Sequence, residues 1–116
     1  MNQSSKYEVR SRVWITSPNG NTYLGAGRVK LLKAIEQHGS ISKAAKAMEM
    51  SYKKAWRMVN SMNKEGAELL VVAKTGGTNG GGTVLSDAGK KAIEMYDQLC
   101  EENTTQLNNS FSKLDM

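Results

Sequence analysis

The chain is poor in the residues that build disulfides, metal sites and proline turns. Among its 116 residues there are one cysteine, one histidine and one proline. Cys100 has no partner for an intrachain disulfide, which indicates a reducing compartment. His38 has no second histidine and no nearby cysteine with which to hold a metal, so we expect it to make a hydrogen bond or a dipole contact at a helix end. We expect neither a metal nor a cofactor.

Long apolar runs and catalytic constellations are missing as well. No stretch approaches the ~20 apolar residues that span a bilayer, and the polar first ten residues lack the apolar segment of a signal peptide. We therefore expect a cytoplasmic protein. The glycine-rich run from Gly76 to Thr83 can be aligned with part of a nucleotide-binding loop, but Gly82 stands where the lysine is required. The sequence also shows no Ser/His/Asp arrangement and no pair of carboxylates that would suggest catalysis. We therefore expect no enzymatic activity.

Positive charge is concentrated in the middle of the chain. The net charge is +5, and residues 28–74 hold ten lysines and arginines against four acidic residues, whereas residues 86–116 hold three against six. This asymmetry is typical of a nucleic-acid-binding surface. The length predicts one domain, at residues 7–100, with a disordered N-terminus at 1–6 and a frayed helix or disordered tail at 101–116.

Residues 39–63 have the pattern of a helix-turn-helix. One short helix is predicted from about Ser42 to Met48 and a second from Ser51, each with its serine as the N-cap. Glu49 lies in the turn, where a positive φ is favoured and glycine is common. Such a unit places its second helix in the DNA major groove.

The second predicted helix has two faces at 100° steps. The stripe predicted to be buried contains Tyr52, Ala55, Trp56, Val59 and Met62. The opposite arc is polar and carries Lys53, Lys54, Arg57, Asn60, Ser61 and Lys64. A basic arc of this kind is either a solvated surface or a surface that contacts base edges and phosphates.

Short strands and two further helices are predicted around this unit. Alternation over Val9–Ile15, turn residues, and a segment near Thr22–Leu24 indicate a β-hairpin, in which Trp14 is more typical of a core or interface residue than of base stacking. A helix follows over about Arg28–Gln37, with Val29, Leu32 and Ile35 buried. Leu69–Ala73 and Thr83–Leu85 would flank a glycine-rich wing, and a last helix begins at Ser86.

Several motifs together resemble the DNA-binding domain of the ModE family, which comprises molybdate-responsive bacterial transcription regulators with a LysR-type winged helix-turn-helix. The resemblance covers about Tyr23 to Leu99. Its motifs are Gly39-Ser-Ile-Ser-Lys-Ala-Ala-Lys46, Ser51-Tyr-Lys-Lys-Ala-Trp56, Met62-Asn63, and Thr75-Gly-Gly-Thr-Asn-Gly-Gly-Gly82 leading into Val84-Leu-Ser86.

The resemblance implies a homodimer that binds a pseudo-palindromic site. Members that sense molybdate carry a C-terminal oxyanion-binding region, and this chain stops at Met116, so we expect a stand-alone form without molybdate binding. The expected dimer interface involves the N-terminal strands and the last helix, at Trp14, Ala92, Met95, Tyr96 and Leu99.

The sequence thus predicts an α+β, mainly α, winged helix-turn-helix with an N-terminal β-hairpin, a glycine-rich wing and a C-terminal dimerisation helix. The expected function is sequence-specific regulation of transcription, and the alternative is a protein-interaction adaptor that uses the same fold. The predicted DNA-binding residues lie on the two helices and the wing: Ser42, Lys43, Ser51, Tyr52, Lys53, Lys54, Arg57, Lys74, Thr75, Gly76, Gly77, Thr78 and Asn79.

Overall fold

The computed structural model describes residues 6–74 and 82–114 and is mainly helical, with two short antiparallel hairpins in these ranges. The elements follow in the order β1 (Ile15–Thr16), β2 (Thr22–Leu24), α1 (Ala26–His38), α2 (Ile41–Ala47), α3 (Tyr52–Glu65), β3 (Val71–Ala73), β4 (Thr83–Leu85) and α4 (Asp87–Ser112).

One core joins the helices. α1 contacts α2, α3 and α4, and α2 packs on α3, while the β3–β4 hairpin follows α3 and contacts α1 and α4 through β4. This order and packing confirm the predicted α+β, mainly α, winged helix-turn-helix fold. The largest fully buried side chains are aliphatic and come from β2, α1, α3 and the residue before β3: Leu24, Leu31, Leu32, Ile35, Met62 and Leu70.

The first hairpin is shorter than the sequence predicted. β1 pairs with β2 only through Ile15 and Thr16, and residues 9–14 have no strand partner. This segment contacts α4 instead: the Tyr96 hydroxyl donates to the Val13 carbonyl at 2.6 Å, and Asn103 donates to the Ser11 hydroxyl at 2.7 Å. The apolar positions of this pattern therefore reflect an extended segment that packs along a helix, with Val9 and Val13 half-buried and the residues between them exposed.

Deprotonation of Tyr96 is expected to weaken this contact. Burial, and after it the hydrogen bond to Cys100, raise the pKa of Tyr96 from 10.0 to about 12. A folded-state pKa above the unfolded value contributes stability that is full below pH 10 and is lost as the pH rises toward 12. Urea unfolding over this range should show a steeper loss for the wild type than for Tyr96→Phe, and parallel curves would contradict the assignment.

The last helix is longer than predicted. α4 continues as helix to Ser112, so residues 101–112 are helical, which differs from the disordered tail that was one of the two alternatives expected at 101–116. Its N-cap is Ser86, as predicted, whose hydroxyl accepts the Gly89 N–H at 3.0 Å. Residues 1–5 of the N-terminus, which was expected to be disordered over 1–6, lie outside the described residues.

Part of the predicted dimer interface is used inside the chain. Ala92 and Tyr96 are each 5% exposed and belong to the core, so they offer no surface to a second copy. Trp14, Met95 and Leu99 are 60%, 44% and 41% exposed. The surface that remains for a partner is therefore limited to these three of the five predicted residues.

The N-cap predicted for the first helix of the helix-turn-helix is wrong. α2 begins at Ile41, and the hydroxyl of Ser40, not of Ser42, accepts the Lys43 N–H at 3.0 Å. Ser42 lies inside the helix with its side chain exposed. The next free N–H, that of Ile41, donates to the Thr83 hydroxyl at 3.1 Å. This contact from β4 accounts for the earlier start.

Replacing the two serines separately tests this assignment. Ser40→Ala should lower the free energy of unfolding by about 1 kcal/mol, because the Lys43 N–H loses its acceptor. Ser42→Ala should change it by less than about 0.5 kcal/mol, since serine and alanine differ little in helix propensity at an exposed position. Equal losses in chemical denaturation would contradict the assignment.

Candidate nucleic-acid interface

The turn between α2 and α3 is tight and keeps a residue with a side chain at a positive φ. Glu49 has φ 55°, which confirms the expectation from its place in the turn. The Met50 N–H donates to the Ala45 carbonyl at 3.0 Å and closes the turn. Ser51 then caps α3 by accepting the Lys54 N–H at 3.0 Å, as predicted. These bonds fix the first turn of α3 relative to α2.

The first two turns of α3 present unpaired cations to solvent. Lys53, Lys54 and Arg57 are exposed, while Ala55 and Val59 are buried on the other side of the helix. Within residues 6–74 and 82–114, the ion pairs are Arg10–Glu8 and Lys33–Asp97, so none neutralises these three side chains. The cations of the predicted basic arc are thus exposed, whereas Ser61 of that arc is half-buried.

Two aromatic residues depart from the predicted buried stripe. Tyr52 is 55% exposed and Trp56 is 48% exposed, so their assignment to the core was wrong. Trp56 follows Ala55 and therefore lies about 100° around the helix from the centre of the buried face. Tyr52 belongs to the first turn, and the buried contacts of α3 begin at Ala55. Both rings lie beside the basic arc.

The base of the wing is attached to the start of α2. β3 and β4 pair antiparallel, and the Lys74 N–H donates to the Gly82 carbonyl at 3.0 Å. The Thr83 N–H donates to the Gly39 carbonyl at 3.0 Å, next to the bond between Ile41 and the Thr83 hydroxyl. The wing therefore starts beside the helix-turn-helix. The predicted wing contacts at Thr75, Gly76, Gly77, Thr78 and Asn79 lie outside the described residues.

Residues 27–90 match the family described as bacterial regulatory helix-turn-helix protein, lysR family. The chain belongs to this family. The matched residues run from the second residue of α1 into the first turn of α4, so they include the helix-turn-helix and both strands of the wing.

The relatives of this LysR-type chain include ModE proteins and a molybdenum-pterin-binding protein. It is 43% identical over 94 residues to the molybdenum transport protein ModE of Azotobacter vinelandii, which covers 81% of this chain and 35% of that protein. It is 46% identical to the DNA-binding transcriptional dual regulator ModE of Escherichia coli K12, over 64% of this chain and 28% of that protein. It is 47% identical to the molybdenum-pterin-binding protein MopB of Rhodobacter capsulatus, over 78% of this chain and 33% of that protein. The chain thus spans about a third of the length of these relatives.

One side chain that supports the LysR-type unit was not recognised from the sequence as structural. The Asn63 amide donates to the Val71 carbonyl at 2.9 Å, and its oxygen accepts the N–H groups of Leu70 at 2.8 Å and Val71 at 3.2 Å. Asn63 thereby joins the end of α3 to the first strand of the wing. The Met62-Asn63 motif contained the signal, but the spacing alone does not tell a surface asparagine from one that binds the backbone.

One cation of the basic segment has a structural role. Arg28 donates to the Thr22 carbonyl at 2.6 Å and to the Ser61 hydroxyl at 3.0 Å, so it links β2 to α3. The same hairpin also reaches α3 through Asn21, which donates to Glu65 at 2.8 Å and lowers the pKa of that carboxyl. Arg28 is therefore not part of the candidate interface, although the charge count included it.

The remaining predicted positions are consistent with a surface role. Lys43 and Lys74 are exposed, and His38 ends α1. Among the described residues, no group of three His, Cys, Asp or Glu side chains could hold a metal ion. The same part of the chain has no helix long and apolar enough to cross a membrane.

Proposed function

We propose that this chain is a sequence-specific DNA-binding regulator of transcription, in which α3 enters the major groove and the wing contacts the backbone beside it. The observation that carries the proposal is the exposed, unpaired set of Lys53, Lys54 and Arg57 on the first two turns of the second helix of a LysR-type helix-turn-helix. The N-terminal part of such a helix is the part that meets base edges.

The relatives support this function. The Escherichia coli relative is a DNA-binding transcriptional dual regulator. The residues that match the LysR family, 27–90, include the whole helix-turn-helix. Arginine and lysine pair well with the O6 and N7 acceptors of guanine, and they also neutralise phosphates. Ser51 caps a 14-residue helix whose N-terminus attracts anions, so Ser51 and Tyr52 would lie close to the DNA backbone.

Dimerisation through α4 is part of the proposal. Met95 and Leu99 are exposed one turn apart on a 26-residue helix, and Trp14 is exposed on the segment that precedes β1. A two-fold dimer would place two copies of α3 at half-sites about one helical turn of DNA, or a multiple of it, apart. We propose a cytoplasmic location and no catalytic chemistry for this dimer.

The function is tested by selecting genomic DNA fragments on the purified chain at about 150 mM salt, where non-specific capture is weak. We expect recovery of a two-fold-related motif, with sedimentation of the free protein at the mass of a dimer. Recovery of no motif would contradict sequence-specific binding and would favour the adaptor, in which the same basic arc contacts an acidic protein.

A further inference from the structure

The aromatic pair on α3 is the largest apolar feature of the candidate interface. Tyr52 and Trp56 are 55% and 48% exposed, and they lie four residues apart, so their side chains are neighbours on the helix surface. With Lys53 they line a shallow recess of about 210 Å³. Two large exposed rings beside three unpaired cations indicate a partner that offers both apolar groups and negative charge.

The charge around the pair favours DNA as that partner. From Ser51 to Lys64 the chain contains no acidic residue, and Lys53, Lys54 and Arg57 are exposed on the same two turns as the rings. A second copy of the chain would bring the same positive charge against itself if it docked here. Duplex DNA places phosphates at the edges of the groove and bases on its floor, which matches a surface where an apolar pair lies beside a row of cations.

The floor of the major groove carries one prominent apolar group, the C5-methyl of thymine. We propose that Trp56, supported by Tyr52, packs against thymine methyl groups and is a specificity-determining residue for T·A pairs under the first two turns of α3. This inference rests on the proposed DNA-binding function. It assigns the reading of thymine to the aromatic pair, while the three cations contact guanines or phosphates.

Replacing thymine by deoxyuridine removes the methyl group and leaves the hydrogen-bonding edge unchanged. In the motif recovered by the genomic selection, each thymine is replaced in turn by deoxyuridine. The wild type should lose about fourfold in affinity at each thymine that the pair contacts, the usual effect of one buried methyl group. Trp56→Gln should bind the thymine site more weakly and should not respond to deoxyuridine at those positions.

Three controls separate this inference from the proposed function. Trp56→Gln should keep the thermal midpoint and the salt slope of binding, because a half-exposed apolar ring holds no counterion. Tyr52→Phe should retain the deoxyuridine effect, since it keeps the ring. Equal responses of the wild type and Trp56→Gln to every deoxyuridine, with motif binding intact, would overturn the inference and leave the function standing. Loss of the dimer in Trp56→Gln would also overturn it, and absence of any motif for the wild type would overturn both.

Discussion

Gly89→Ala is expected to destabilise the fold by about 2–4 kcal/mol, at the upper end of what one methyl group does to a protein. Gly89 is buried in the first turn of α4, and a Cβ at this position would lie 2.3 Å from the Leu70 carbonyl oxygen and 3.1 Å from its carbon. Backbone atoms cannot move aside as a side-chain end can. The same carbonyl accepts the Ser86 N–H at 2.9 Å, so a shift that relieves the clash would break the junction between α4 and the strand β3.

A second helical glycine provides the matched control. Gly27 lies in the first turn of α1, where a Cβ would meet only the end of Met58 at 3.9 Å, an ordinary contact distance. Gly27→Ala should therefore be neutral or stabilising by up to about 1 kcal/mol, because alanine loses less backbone entropy in a helix. Chemical denaturation of both variants measures the difference. A Gly89→Ala variant as stable as Gly27→Ala would show that α4 does not approach Leu70 this closely.

The fold could be predicted from the sequence, but not the N-cap residue of every helix. Helical spacing and turn residues were sufficient for the four helices, and Ser51 and Ser86 could be predicted as caps because each stands alone before its helix. Ser40 and Ser42 lie two residues apart, and either could cap α2. The choice depends on Thr83, 42 residues from Ile41 in sequence, which accepts the Ile41 N–H. A contact at this separation leaves no periodic signal.

The extent of α4 has a similar cause. Residues 101–112 are mostly polar and lack a strong apolar stripe, so periodicity alone predicted a frayed end. The structure packs the N-terminal segment against this part of the helix, and Asn103 bonds to Ser11, 92 residues away.

Exposure of Tyr52 and Trp56 was missed for the opposite reason. Spacing shows which side chains share a face of a helix, but it does not show how much of that face the rest of the chain covers. Tyr52 and Trp56 lie at the edge of the covered part.

Removing the three cations of α3 should abolish sequence preference and most of the affinity for DNA. In Lys53→Ala/Lys54→Ala/Arg57→Ala, each lost base contact should cost about 1–3 kcal/mol of binding free energy. Each lost phosphate contact should reduce the salt slope of log K by about 0.9. Titration of the selected duplex at several salt concentrations distinguishes the two effects. Because all three side chains are exposed and unpaired in the described residues, the thermal midpoint should not fall.

The matched control removes the same charge from another surface. Lys90→Ala/Lys91→Ala/Lys113→Ala takes three exposed cations from α4 and its C-cap, so the net charge of the two variants is equal. If DNA binds through α3, the α4 variant should keep its sequence preference and nearly the wild-type salt slope, since long-range attraction is screened beyond about 10 Å at 0.1 M salt. Equal losses in both variants would mean that affinity follows net charge alone. That result would remove the basis for placing α3 in the groove, because removing a cation from a helix that contacts bases should lower the affinity for DNA more than removing one from a distant surface.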